Sequence, residues 1–358
     1  MTFKRTWLLA ASIGAAALLA GAPAWSQDKV DCSGLTGAAV VHFQGPYTKQ
    51  LIQGAEAALA ECGGTSLNGG PAMFDTSAQV ANFQDFALGG ADAIVTVAFP
   101  SDFWIRVIDD AVKQDVMVST FDVESPASLA TLHTAPKQKD QGRVMADVLA
   151  DALGDGAKGE VITGICLPGL ALIEARVTGF KEQLGERLPD VTITGPLDVK
   201  FDQTENFSQW QSIYDSNPDA LAYIGFCEND LPSLVRIKEN VPDATFEIAS
   251  IGINPDGLKG IADGVALAAI GQKPFMQGYV AMRAMIESIA TGTTLERGWI
   301  DVEPEVVTKE NVAAVTEREA SLSKGTDPTR EYYGGEIDAI FGDDVNKHVQ
   351  SYGALLGD

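Results

Sequence analysis

Short runs of consecutive apolar residues alternate along this chain with stretches whose apolar positions recur every three or four residues. Residues 38–43 read as a buried strand, and the helix after it places Leu51, Ala55, Ala58 and Cys62 on one face. A weak strand near 72–75, a helix over 78–88, a strand at 93–98, a helix at 102–113 and a strand at 116–121 continue the series. This βαβαβαβ order predicts a parallel sheet covered by helices on both faces.

The plan then repeats. Residues 161–166 read as a strand, and the next helix buries Ile173, Val177, Phe180 and Leu184, at the spacing of Leu51, Ala55, Ala58 and Cys62. Strands are expected at 191–194, 221–225, 247–252 and 265–270, with helices at 206–215 and 231–240, a loop at 252–257, and a helix at 275–290 stopped by Gly292. The expected fold class is α/β: two doubly wound parallel-sheet lobes with a cleft between them, because ligands of parallel sheets sit beyond the carboxyl ends of the strands.

The first residues read as export machinery. Lys4 and Arg5 precede an apolar run from 7 to 20, and Ala24-Trp25-Ser26 supplies small residues at the positions a signal peptidase reads. Residues 1–26 are therefore expected to be a cleaved signal peptide. The run is too short to span a bilayer comfortably, so direct membrane insertion is not expected. A periplasmic location follows from this reading. The formal net charge of −24 becomes more negative once Lys4 and Arg5 are removed, which argues against nucleic acid and anionic lipid as partners.

Four cysteines, Cys32, Cys62, Cys166 and Cys227, follow the expected cleavage point. In an exported protein they allow three connectivities, and four unpaired thiols are a further alternative. Cys32 precedes the first strand and Cys62 ends the first helix; Cys166 and Cys227 each end an apolar strand. The pairing 32–62 with 166–227 is preferred. No Cys-x-x-Cys occurs and the three histidines are scattered, so neither a metal site nor a cofactor is expected.

Polar and aromatic residues gather just after the strands. Phe43-Gln44-Gly45-Pro46-Tyr47 follows the first, Phe99 to Trp104 the third and Asp122 the fourth. In the second half, Arg176 lies one turn into a helix, and Phe201-Asp202, Phe226-Cys227-Glu228-Asn229-Asp230, Asn254 and Gln272 follow later strands. Aromatic faces cover the C–H face of a sugar, while Asp, Asn, Gln and Arg bond vicinal hydroxyls. Each residue has a plainer alternative. Phe43 and Tyr47 can be core, Asp122 a helix cap, and Arg176 a surface ion-pair partner of Glu174 or Asp202.

With these residues in order, the chain resembles the ribose-type periplasmic binding proteins, over about residues 37–311. The resemblance is carried by the Gly-Pro-Tyr opening, Thr120-Phe121-Asp122, Ala175-Arg176-Val177-Thr178-Gly179-Phe180, Glu228-Asn229-Asp230, Ala262-Asp263-Gly264 and the late segment Glu305 to Asn311. It implies ligand contacts from Gln44, Gly45, Tyr47, Asp122, Arg176, Phe201, Asn229, Asn254 and Gln272. Val123, Asn254 and Gly45 stand where ribose-like sites commonly carry Arg, Asp and Asn, so ribose itself is not implied; Phe43 and Trp104 are expected to close the altered space. It also implies a first lobe of 27–136 plus 273–298, a second of 137–272 plus 299–313, and hinge crossings near 132–136, 271–274 and 299–302. Residues 314–358 fall outside the resemblance and read as a peripheral extension.

The expectation is a non-enzymatic, monomeric solute-binding protein. It would close over a monosaccharide or polyol and deliver it to a membrane permease and its ATPase. A sugar or autoinducer receptor feeding a kinase or chemoreceptor is the main alternative. An exported glycosidase using Glu228 and Asp230, or Asp122 and Asp202, is the remote one, since amides and an Arg are expected to keep these carboxylates ionised rather than raise one of them.

Overall fold

The computed structural model describes residues 30–324 and 329–356; the expected signal peptide lies outside the described residues. The first half runs β1 (Thr36–Val40), α1 (Pro46–Cys62), β2 (Thr65–Gly69), α2 (Thr76–Leu88), β3 (Ala93–Thr96), α3 (Ser101–Val112), β4 (Met117–Phe121) and β5 (Leu132–Ala135). The second runs α4 (Gln138–Leu153), β6 (Gly159–Ile165), α5 (Ala171–Arg187), β7 (Val191–Asp198), α6 (Gln203–Ser216), β8 (Ala222–Gly225), α7 (Asp230–Glu239), β9 (Glu247–Ile251), α8 (Pro255–Ala262) and β10 (Ala268–Gly271). Then follow α9 (Pro274–Thr291), β11 (Gly298–Asp301), β12 (Glu305–Val307), α10 (Val312–Ser323), α11 (Thr329–Tyr332), α12 (Gly334–Phe341), β13 (Val349–Gln350) and α13 (Tyr352–Leu356).

Among the described residues these strands form two sheets, ordered β13-β11-β5-β4-β3-β1-β2 and β12-β10-β9-β8-β6-β7. Only β13 and β12, at the edges, run antiparallel to their neighbours. Both faces of each sheet carry helices, so β3, β8 and β10 are buried along their whole length and read as unbroken apolar runs. In the first lobe α1 and α9 cover one face, while Phe83, Trp104 and Ile108 from α2 and α3 fill the other. In the second, α4 and α5 stand opposite α6, α7 and α8.

Glycines set the closest helix contacts. A Cβ at Gly54 of α1 would lie 1.9 Å from the carbonyl oxygen of Phe275 on α9, and one at Gly142 of α4 would lie 1.9 Å from that of Arg176 on α5. Each lobe thus brings two helix backbones together at a point where no side chain fits.

Several expectations are corrected. The second strand lies at 65–69, not 72–75; its Thr-Ser-Leu-Asn-Gly sequence sits on the sheet edge and carries little apolar signal. The loop expected at 252–257 gives way at Pro255 to α8, with Asn254 as N-cap and proline in its first turn. Helix α4 was not anticipated, although Met145 and Leu149 bury one face of it. The lobe boundary expected at 298–299 falls inside β11, which pairs in parallel with β5 of the first sheet. The chain crosses between lobes at 136–137, 272–273 and 302–304, and after α10 it returns to the first lobe. There β13 extends the sheet and Tyr333 stacks on Phe275 at 5.4 Å. Among the described residues beyond 314, α10 packs on α8 of the second lobe and bonds to α1 of the first, while β13 joins the first sheet, so this segment is no peripheral ornament.

Candidate functional site

A cavity of about 310 Å³ lies between the lobes, beyond the carboxyl ends of their strands. The first lobe contributes His42 and Phe43 after β1, Tyr47 from the first turn of α1, Phe74 after β2, Phe99 after β3, and Asp122 and Val123 after β4. The second contributes Cys166, Leu167 and Leu170 after β6, Leu172, Ile173 and Arg176 from the start of α5, Phe201 after β7, and Cys227 and Glu228 after β8. Gln272, in the second crossing, joins the two sets.

The polar groups form one cluster. Tyr47 donates its hydroxyl to Asp122 Oδ1 at 3.0 Å, and the Asp122 backbone N–H donates to Gln277 Oε1 at 3.1 Å. Asp122 sits at φ 63°, a left-handed conformation that Asp tolerates better than most residues and that often marks function. Across the cleft, Arg176 donates from Nε to Gln138 Oε1 at 2.8 Å and from a terminal nitrogen to the Phe226 carbonyl at 3.1 Å. These two bonds lock the guanidinium plane.

Burial dominates the electrostatics. It raises Asp122 to about 6, against the pull of Arg176 and the Tyr47 hydrogen bond. It raises Glu228 to about 7, with Glu319 and Asp122 adding repulsion. It lowers Arg176 to about 10, which leaves it cationic at neutral pH, and lowers His42 to about 4, which leaves it neutral. The Tyr47 phenol is held well above its usual value, first by burial and then by the Asp122 carboxylate. The expectation that amides and an Arg keep these carboxylates ionised without raising one is corrected: burial outweighs Arg176 and the Tyr47 bond at Asp122, and at Glu228 every cause acts upward.

The apolar groups form a second cluster. His42 meets Phe43 edge-on at 4.7 Å and Phe74 at 5.6 Å, Phe74 meets Phe99 at 5.6 Å, and Phe43 reaches across the cleft to Phe201 at 6.5 Å. The disulfide Cys166–Cys227 forms part of the opposite wall. A second bridge, Cys32–Cys62, ties the start of the first lobe to the end of α1. Among the described residues no group of His, Cys, Asp and Glu is arranged to hold a metal ion.

The structure thus brings together Phe43, Tyr47, Asp122, Arg176, Phe201 and Gln272, and sends the other named residues elsewhere. Gln44 is exposed and its amide reaches the Gly70 carbonyl. Gly45 is the N-cap of α1. Trp104 is completely buried beneath the first sheet, edge-on to Phe83. Asn229 donates to the Phe201 carbonyl. Asn254 caps α8 at Gly257 and donates to the Glu228 carbonyl at 2.7 Å. The last two hold the loops that carry cavity residues without lining the cavity. Asp202 caps α6, and Asp230 is buried against Asn206 and Trp210. Neither imagined carboxylate pair is therefore assembled. Sequence reasoning missed His42, Phe74, Val123, Leu167, Leu170, Leu172 and Ile173 as lining residues; His42, Val123 and Leu167 directly follow or adjoin residues already singled out at strand ends, which was the available signal.

A model of the family whose description is "Periplasmic binding protein domain" matches residues 37–293. The ribose import binding protein RbsB of Salmonella typhimurium is 26% identical over 198 residues, 55% of this chain; the match spans 65% of that relative's length. The RbsB of Haemophilus influenzae is 26% identical over 57% of this chain and 68% of its own. The fold is similar to that of an ABC transporter solute-binding protein from Burkholderia graminis solved with D-arabinose. There the TM-score is 0.72 and the identity 21%, over 79% of this chain and 98% of that one. With two α/β lobes, an interlobe cavity at the strand ends and a family match over most of its length, this chain belongs to the family built on the periplasmic binding protein domain.

Proposed function

We propose that this protein is the periplasmic solute-binding component of an ABC importer, a monomer that captures a monosaccharide-sized polyol between its lobes and presents the closed form to a membrane permease and its ATPase. The observation that carries the reading is the shared cavity. Tyr47 and Asp122 stand on one lobe, Arg176 and Glu228 on the other, and Gln272 in a crossing between them. A solute that contacts both sets stabilises the closed arrangement, and the chain crossings at 136–137, 272–273 and 302–304 provide the hinge. A cavity of about 310 Å³ is at the small end of ligand sites and suits a small solute. The relatives' names support the same class: ribose import for the RbsB proteins, D-arabinose and D-allose in complexes of similar fold. A glycosidase reading has less support, because the cleft does not assemble either proposed acid pair.

The test is thermal unfolding of the purified protein against pentoses, hexoses, polyols and amino acids. A solute present at a thousand times its dissociation constant stabilises the folded state by about 4 kcal/mol. A midpoint raised by sugars or polyols supports the reading. A rise confined to amino acids overturns it.

A further inference from the structure

The cavity is polarised from end to end. Its hinge end is polar and enclosed: Arg176 is 5% exposed and Gln272 9%. Tyr47, Glu228 and Gln272 also line a small void of about 30 Å³ behind the cavity, on the hinge side. The mouth is apolar and open: Phe74 is 51% exposed, Phe201 54% and Leu167 37%. Between mouth and floor the rings of Phe201, Phe43, His42, Phe74 and Phe99 touch in sequence. Opposite them stand Leu170, Leu172, Ile173 and the sulfurs of Cys166 and Cys227.

An unsubstituted pentose or hexose carries hydroxyls around its whole ring, and each needs a partner once it leaves water. Here the polar partners are gathered at one end. Arg176 has already committed Nε and one terminal nitrogen to Gln138 and Phe226. One Asp122 oxygen is committed to Tyr47. The mouth half offers mainly rings, aliphatic chains and a disulfide, which match carbon better than hydroxyl; His42 Nδ1, buried without a partner, is a polar atom among them. Exposed phenylalanines at a cleft rim are also costly in the empty protein unless a ligand covers them.

We propose that the captured solute is amphipathic: a hydroxylated ring whose head is held by Tyr47, Asp122, Arg176 and Gln272, and whose apolar aryl or alkyl substituent lies along Phe43, Phe74 and Phe201 toward the mouth. This rests on the interlobe cavity being a solute site, as proposed above. It narrows the substrate class from free sugars to sugars or cyclic polyols that carry an apolar group.

The experiment is titration calorimetry of the purified protein with matched pairs. D-glucose, D-galactose, D-xylose and D-ribose are each compared with their methyl and phenyl β-glycosides. For at least one sugar the phenyl glycoside should bind at least about tenfold tighter than its parent, since burying a ring removes a large apolar area from water. The Phe74→Ser/Phe201→Ser variant changes exposed side chains and should fold. It should cut that advantage to below about threefold, because the glycoside loses far more affinity than its parent sugar. A parent sugar that binds as tightly as its glycosides overturns the inference and leaves the solute-binding reading standing. An advantage that survives the double variant also overturns it, because the substituent then lies elsewhere. Silence from both parents and glycosides overturns the inference together with the sugar-binding reading beneath it.

Discussion

Tyr47 donates to Asp122 Oδ1 at 3.0 Å, while its own oxygen receives Gln277 Nε2 at 3.3 Å. One hydroxyl thus links the first turn of α1, the end of β4 and the start of α9, and it satisfies a buried carboxylate. Tyr47→Phe keeps the ring and removes both bonds. The expected outcome is a loss of about tenfold or more in affinity for the bound solute, the size of one hydrogen bond to a charged group, with a drop in unfolding midpoint. Calorimetry and thermal unfolding on the same preparations check it. Unchanged affinity would remove Asp122 and Tyr47 from the binding set.

Glu228 sets a pH dependence. Its usual value is 4.5, and burial raises it to about 7 in the folded protein. As pH rises from about 4.5, the unfolded chain releases this proton first and the folded chain retains it, so stability falls until the folded group ionises near 7. Below that window the group has no effect; above it the penalty is fully present. Glu228→Gln should therefore match the parent at pH 4 and exceed it at pH 8 by on the order of 3 kcal/mol. Denaturant unfolding of both proteins at several pH values measures the difference. A difference that shrinks as pH rises would show that Glu228 is stabilised as a carboxylate.

The alternation of strands and helices was legible because strands buried on both faces are apolar throughout, as in the Ala93–Thr96 run, while helices such as α1 show a single apolar stripe. Edge strand β2 was misplaced because no burial marks it. The site was partly legible for a similar reason: strand ends are visible, but the direction of a side chain after the strand is not. Asp122 and Asn254 look alike in sequence, each a short polar residue after an apolar strand. In the fold one enters the cavity at positive φ and the other caps α8. Trp104 likewise follows the cleft loop by a few residues, yet helical periodicity turns it beneath the sheet beside Ile108.

Trp104 separates packing from binding. It is fully buried, and its indole N–H donates to the Phe99 carbonyl at 3.3 Å. Trp104→Phe should destabilise the protein by about 1–3 kcal/mol through lost volume and that unpaired carbonyl, and leave solute affinity within about twofold. Chemical denaturation and calorimetry read the two effects separately. A large affinity loss at unchanged stability would return Trp104 to the site.

The bridge Cys166–Cys227 closes a separation of 61 residues and forms part of the cavity wall. The chain-entropy argument assigns a loop of that size about 4 kcal/mol, an upper figure. Cys166→Ala/Cys227→Ala should lower stability by about 2–4 kcal/mol and weaken solute binding, because the bridge joins the loops carrying Leu167 and Glu228. Urea unfolding of the variant, compared with the parent under oxidising and reducing conditions, checks the stability part. Stability that is unchanged by both treatments would mean that the bridge constrains neither state.

Gly142 links a helix contact outside the cavity lining to a residue inside it. A Cβ there would lie 1.9 Å from the Arg176 carbonyl oxygen and 2.7 Å from the Phe180 nitrogen, both backbone atoms that cannot swing aside. Gly142→Ala must therefore push α4 away from α5. Gln138, in the first turn of α4, holds Arg176 Nε at 2.8 Å, so the same displacement pulls the partner from the guanidinium. Alanine has the better helix propensity by about 1 kcal/mol, which would stabilise the variant if packing did not matter. The clash should reverse that sign, with a net loss of about 1–3 kcal/mol and an affinity loss of about tenfold or more. Gln138→Leu tests the second half alone, since it removes the partner without moving the helices. If Gly142→Ala proved stabilising and bound solute normally, the close helix contact would not be what positions Arg176.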